Sequence, residues 1–417
     1  MKVLILAEQC NSEWASLPFF SYELAKATAD QVDVVVVTHI RNKPAIDRTG
    51  FGRAQVEYVD NEYIAAPLYK LANLFRRLKL GNWMMGMALS YPSYIAFEYE
   101  VWKKYKQRLA DNEFALIHRI SPVSPTLPSP LASWTTVPFI LGPINGGLGW
   151  PDTFVNELKK EKEFIIYFRQ LYRLLPYYHA TFKHVKRVLA AFKHVERDIP
   201  EYALGLVERF DELGINPDVF NADNRLNSSE QCHFLFVGRL VPYKNADVAV
   251  RAFLADKNLY ENHRLTIVGD GPEMQSLQNI ISKHSAISQN IALVGWKSAA
   301  EISALLKAAQ VFVFPTIREV GGNVLVEAMA CGLPCIVPDY GGPSELVNQE
   351  TGIKLKLTDK PNLISAVTSA MLELANNHEQ RNAKSIKAAE FAKQHYTWES
   401  KARQLKSIYQ RLLNVAD

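Results

Sequence analysis

Short apolar runs alternate with amphipathic stretches through the N-terminal half of the chain. Residues 3–7 read as a strand, and residues 16–29 as a helix with Pro18 at its start. Residues 32–38, an almost unbroken valine run, read as a strand buried on both faces. Residues 115–118, 139–141 and 188–191 read as further strands. Strands separated by helical stretches imply a doubly wound parallel sheet, whose ligands sit beyond the carboxyl ends of the strands. Residues 214–227 lapse into Gly, Asn, Pro, Asp and Ser and read as a linker. The alternation then restarts. Strands are predicted at 233–237, 264–268, 291–294, 311–314 and 335–338, and helices at 247–255, 273–283, 299–309 and 324–330. Residues from Lys360 to about Leu413 read as charged helix. The fold class is therefore α/β, with two domains in tandem.

One stretch concentrates chemistry. In REVGGNVLVEAMACGLP, residues 318–334, two glutamates stand eight positions apart with a glycine pair between them. An apolar strand precedes the stretch, and a strong helix former with a Cys-Gly-Leu-Pro stop follows. Glu319 to Asn323 is thus a loop running into a helix N-terminus, which offers free N–H groups and partial positive charge to a phosphate. Glu327 lies about two turns in and reaches a neighbouring part of the same ligand. Glutamates placed this way face hydroxyls or cations, so the ligand has an anionic middle and hydroxylated ends. The loop after residues 233–237 adds Gly238, which allows close backbone approach, Arg239, a planar fork, and Lys244, a mobile point charge. Together with the helix N-terminus they would clamp a diphosphate.

Composition narrows the classes. The chain has 417 residues, 48% hydrophobic and 22% charged, which fits a globular protein with more than one core. A net charge of +4 is far from that of a nucleic-acid-coating protein. Cys10, Cys232, Cys331 and Cys335 form neither a CxxC nor a zinc pattern and read as buried thiols in a reducing compartment. The N-terminal apolar run is too short for a signal peptide. No run reaches the length of a membrane span. The expected location is cytoplasmic. Residues 69–87 carry Lys70, Arg76, Arg77 and Lys79 and no acid among Leu, Phe, Trp and Met. This stretch is either a surface for an anionic membrane or a solvated basic face whose apolar side is core. The same holds for the basic run at 159–197.

Val237-Gly-Arg-Leu240, Lys244, Val268-Gly-Asp-Gly-Pro272, Gly295-Trp296, Glu319-x7-Glu327, Gly341-Gly-Pro-Ser-Glu345 and Tyr396-Thr-Trp398 occur in that order. On them the chain resembles a family 4 glycosyltransferase of the GT-B fold. The resemblance covers essentially the C-terminal half and implies two Rossmann-like domains facing each other across a cleft. It suggests residues 1–222 for the acceptor domain and 223–395 for the nucleotide-sugar domain. Residues 396–417 would be a helix packing back toward the first. Glu327 would hold the ribose and Glu319 the donor sugar. Amides of Val320, Gly321, Gly322, Asn323 and Val324 would face the sugar and distal phosphate. Arg239 and Lys244 would neutralise the leaving diphosphate. Trp296 would line the base or belong to the core, while Gly269 and Gly271 would shape a turn.

In the N-terminal half the resemblance is looser. His118, ending a strand, would be a catalytic contact to donor sugar or phosphate, and Arg119 an anion contact or a plain surface cation. The loop after the first strand, with Ser12 and Glu13, lacks the family's glycine pair. Asn145, Gly146 and Gly147 supply glycines at another strand end and, with residues 118–125, resemble the branch that assembles surface polysaccharides or exopolysaccharides. Ser12, Glu13, Arg119, Asn145, Gly146 and Gly147 are the acceptor-side candidates. The resemblance implies a retaining hexosyltransferase using a nucleotide-sugar, UDP first, with no metal or other cofactor. Its acceptor would be a saccharide or lipid-linked saccharide. A GT-B nucleotide-sugar epimerase and an inactive nucleotide-sugar-binding scaffold stay open as alternatives.

Overall fold

A computed structural model describes residues 1–78, 83–154, 171–223, 231–284 and 288–414. The chain forms two compact units. Among described residues, one comprises 1–147, 171–212 and 401–414, and the other 148–154 and 213–400. Along the chain the units alternate at 147/148, between 154 and 171, at 212/213 and at 400/401.

The first unit is built on seven strands: β1 (Lys2–Ala7), β2 (Asp33–His39), β3 (Gln55–Val59), β4 (Leu116–Ser121), β5 (Phe139–Ile144), β6 (Arg187–Ala190) and β7 (Val207–Arg209). All pair in parallel, in the order β3-β2-β1-β4-β5-β6-β7. Val34, Val35, Val36 and Val37 are all buried, as a strand covered on both faces requires. The long helix Trp83–Ala110 presents Tyr94, Phe97, Val101, Tyr105 and Leu109 to the core, at the three- and four-residue spacing of one helix face.

The same helix carries Glu98 into the interior. Its carboxylate accepts from Tyr94 OH, Ser129 Oγ and, at 2.9 Å, Leu131 N. Burial raises its pKa, and these donors and the charge of Arg119 oppose the rise. Arg119 is fully buried beside it, donating to Leu127 O at 2.6 Å and lying 5.6 Å from the Tyr94 ring.

The second unit has β8 (His233–Val237), β9 (Arg264–Val268), β10 (Ile291–Leu293), β11 (Val311–Val313), β12 (Cys335–Pro338) and β13 (Gly352–Leu355). They are parallel, in the order β10-β9-β8-β11-β12-β13. Counted within the unit this is 3-2-1-4-5-6, the Rossmann order. Gly269, just past β9, has φ +135°, and a Cβ there would lie 1.9 Å from Gly238 O. A Cβ on Gly271 would lie 2.4 Å from Leu240 O. These two glycines bring the loop after β9 flush against the loop after β8. Gly269→Ala is expected to destabilise this unit by about 3 kcal/mol, through backbone strain and a main-chain clash. Calorimetry should show an unfolding transition at lower temperature, and an unchanged transition would contradict the packing described.

Candidate active site

In a doubly wound sheet the crevice opens where the strand order reverses, beyond the carboxyl ends. In the second unit that point lies between β8 and β11, and the loops leaving these strands carry the candidate residues. The first loop runs from Gly238 through a short turn at Pro242–Lys244. The second runs from Phe314 to the helix Asn323–Ala330, whose N-cap is Gly322, at φ +131°. Gly341 and Gly342 brace the second loop. Gly342 N donates to Glu319 O at 2.9 Å, and a Cβ on Gly342 would lie 2.2 Å from Gly321 O.

The structure brings Lys244 and Glu319 together as a half-buried ion pair between the two loops. Lys244 Nζ also lies 5.0 Å from the centre of the Phe314 ring. Arg239, on the exposed side, donates from Nη2 to Tyr243 OH. Tyr243 O in turn accepts from Ile317 N at 3.0 Å and Thr316 Oγ1 at 3.2 Å, tying the loops together. One turn into the helix, rather than two, Glu327 accepts from Asn323 Nδ2 at 2.7 Å. Burial pushes its carboxyl up to about 7, against the lowering effect of Asn323. Val320, Gly321, Gly322, Asn323 and Val324 form the loop and first turn, where backbone N–H groups lack helical partners. The arrangement holds two cations and a helix N-terminus in one small region, with carboxylates at both ends.

Other expectations need adjustment. Gly238 has room for a Cβ, 3.4 Å from the Phe236 ring, so the close approach depends on Gly269 instead. Trp296 is 75% exposed at the carboxyl end of β10, which excludes the core reading. His118 is a correction. It is fully buried, with Nδ1 to Tyr409 OH at 2.6 Å and Nε2 to Gly142 O at 2.6 Å. Desolvation holds its pKa down near 3. Both ring nitrogens are occupied within the unit, so His118 is placed as a neutral packing group. Arg119 is likewise a buried structural cation, neither a surface charge nor an acceptor contact in this arrangement.

At the strand ends of the first unit, Ser12 Oγ lies 3.0 Å from Thr49 Oγ1, and Glu13 is exposed in a bidentate pair with Arg48. Asn145 donates to Glu212 Oε1 and accepts from Gly146 N at 2.7 Å. Gly146 and Gly147 have φ +127° and +81°. Glu212 was not legible as a partner, because 67 residues separate it from Asn145. Its Oε2 is buried without a hydrogen-bond partner, and desolvation raises the carboxyl to about 7. A folded-state pKa above the unfolded value means that stability falls as pH rises from the unfolded to the folded pKa. Glu212→Gln, a mimic of the neutral acid, is therefore expected to be more stable than the parent at pH 8 by about 1–3 kcal/mol, with the difference vanishing near pH 4.5. Urea unfolding at the two pH values checks this, and a pH-independent difference would contradict it.

Residues 220–411 match the family model described as Glycosyl transferases group 1. An uncharacterized glycosyltransferase of Methanocaldococcus jannaschii is 30% identical over 199 residues, 48% of this chain and 52% of the relative. The Escherichia coli UDP-Gal:alpha-D-GlcNAc-diphosphoundecaprenol alpha-1,3-galactosyltransferase is 34% identical over 137 residues, 32% of this chain and 35% of the relative. The chain thus spans about half or less of the length of these curated relatives. Among solved structures, Anabaena HepE in complex with UDP superposes with a TM-score of 0.63 at 14% identity, covering 99% of this chain and 100% of that one. The Thermosynechococcus elongatus sucrose-phosphate synthase superposes at 0.62, with 17% identity and 99% of both chains covered. The fold is GT-B, with two Rossmann-like domains.

Proposed function

We propose that the protein is a retaining hexosyltransferase of family 4 that uses a UDP-sugar and needs no metal. The observation that carries this reading is the meeting of Lys244, Arg239, Glu319 and Glu327 around one helix N-terminus at the switch point of a Rossmann unit. That geometry fits a nucleoside diphosphate esterified to a sugar. The phosphates take Lys244 from Glu319 and Arg239 from Tyr243, and Glu319, thus freed, accepts hydrogen bonds from the donor sugar. Glu327 holds the ribose hydroxyls, and Trp296 lies against the base. The two cations and the amides of residues 320–324 stabilise the charge on the departing diphosphate. That diphosphate takes the acceptor proton on the front face, so configuration is retained.

The acceptor is a saccharide or lipid-linked saccharide in glycolipid or exopolysaccharide assembly. The E. coli relative, named for UDP-Gal and a diphosphoundecaprenol-linked sugar, supports both choices. Ser12, Glu13, Asn145, Gly146 and Gly147 are proposed on the acceptor side. The test is incubation with UDP-galactose, UDP-glucose or UDP-N-acetylglucosamine and an N-acetylglucosaminyl diphospholipid, in the presence of chelator. An α-linked product by NMR is expected. A β-linked product or a trapped glycosyl-enzyme overturns the mechanism, and donor turnover with no acceptor supports an epimerase instead.

Among the described residues no helix is long and apolar enough to cross a membrane. The helix Glu62–Arg77 does leave Leu71 and Leu74 exposed on one face, beside exposed Lys70 and Arg77. Lys79 and residues 159–170 lie outside the described residues. We assign this face to reversible contact with anionic lipid. Co-sedimentation with phosphatidylglycerol vesicles, weakened in Lys70→Glu/Arg77→Glu and absent with neutral vesicles, is expected. Equal pelleting of both proteins would contradict it.

A further inference from the structure

Residues 148–151 follow directly on the Asn145–Gly147 turn of the first unit, yet they pack within the second. Leu148 is buried and occupies the space over Gly341, where a Cβ would lie 2.8 Å from Leu148 Cδ2. Gly149 O accepts from Tyr340 OH at 3.1 Å. Trp150 then reaches both loops of the candidate site. Its ring lies 5.0 Å from the Arg318 guanidinium carbon, and it meets the Tyr243 ring edge to face, at 6.4 Å and 87°. Arg318 immediately precedes Glu319. Tyr243 immediately precedes Lys244 and holds Arg239 through its hydroxyl. One indole thus meets the residue before Glu319 and the residue before Lys244.

We propose that Trp150 is a positioning residue for a nucleoside diphosphate. Resting on the donor-site reading above, it fixes the two loops against each other so that Arg239, Lys244 and Glu319 meet one diphosphate together. The stack on the indole holds the Arg318 guanidinium in one place, which a flexible surface arginine lacks. The edge contact with Tyr243 does the same for the first loop. Removing the indole takes away this brace while the bonds of Ile317 and Thr316 to Tyr243 O remain, and the loss falls on the group that needs both loops aligned, the diphosphate. A ligand's nucleoside portion, seated toward Glu327 and Trp296, does not depend on that alignment.

The experiment is titration of the full-length protein, Trp150→Ala and Trp150→Phe with UDP and with inorganic pyrophosphate by calorimetry, and with uridine at millimolar concentration by NMR. Trp150→Ala is expected to bind UDP and pyrophosphate about tenfold more weakly, with uridine unchanged, and Trp150→Phe to recover to within about threefold of the parent. Equal UDP affinity in the parent and Trp150→Ala overturns the inference alone. So does an equal loss for uridine, which marks general damage to the fold. Failure of the parent protein to bind either UDP or pyrophosphate overturns the donor-site reading and this inference with it.

Discussion

Lys244→Ala is expected to lower kcat for sugar transfer by about 10²–10³-fold while the protein stays folded. The Lys244 ammonium is the cation paired with Glu319 between the two switch-point loops. In the proposed reaction it passes from Glu319 to the diphosphate on donor binding, and its attraction strengthens as negative charge grows there. An interaction made on binding and strengthened in the transition state lowers kcat as well as raising donor KM when it is removed. The substitution also strands the half-buried carboxylate of Glu319, which costs about 1–3 kcal/mol of stability. The two effects separate cleanly: circular dichroism and melting report the second, and single-turnover rates report the first. A folded Lys244→Ala protein within tenfold of the parent rate would remove Lys244 from the chemistry.

The second large effect concerns Glu327. Its carboxyl sits at about 7 in the free protein, raised by burial with only Asn323 opposing. Ribose hydroxyls donate hydrogen bonds to the ionised form, so donor binding expels a proton wherever the free carboxyl is protonated. By linkage the affinity for UDP-glucose falls as pH drops below 7, by about tenfold between pH 8 and pH 6. UDP-glucose is the right probe, because its diphosphate is a diester and does not titrate in this range. Glu327→Gln is expected to bind more weakly at pH 8 and to show a flat profile. A parent profile that is also flat, or a Gln variant that keeps the slope, would show that Glu327 does not meet the ribose.

The clustering of the residues proposed for the donor side was legible in the sequence because they lie in short contiguous loops. Arg239 and Lys244 stand five residues apart, Glu319 and Glu327 eight, and each loop follows a strand made plain by its apolar run. Where bounds slipped, roles slipped with them. A strand ending at residue 118 puts His118 at the sheet edge, where ligands bind. The strand in fact continues to Ser121, so His118 and Arg119 are interior residues of β4. Polar residues inside a strand give no local sign of whether they meet a ligand or, as here, Tyr409 and Leu127.

The short strands β3, β7 and β13 escaped for a different reason. Gln55–Val59 alternates polar and apolar, Val207–Arg209 has three residues, and Gly352–Leu355 has four. Such segments are fixed by pairing with a neighbour, not by their own pattern. Contacts across long separations were equally hidden. Glu212 with Asn145, and Trp150 with Tyr243 and Arg318, follow from the tertiary path alone.

The most direct test of the central claim, a diphosphate site on the second unit built from cations and a helix N-terminus, is calorimetric titration of the protein with UDP in excess EDTA and again in excess magnesium. Binding with the same Kd in both, and its loss in a folded Arg239→Ala/Lys244→Ala protein, is the predicted result. Binding that vanishes with EDTA and returns with magnesium, or that survives loss of both cations, would contradict the account.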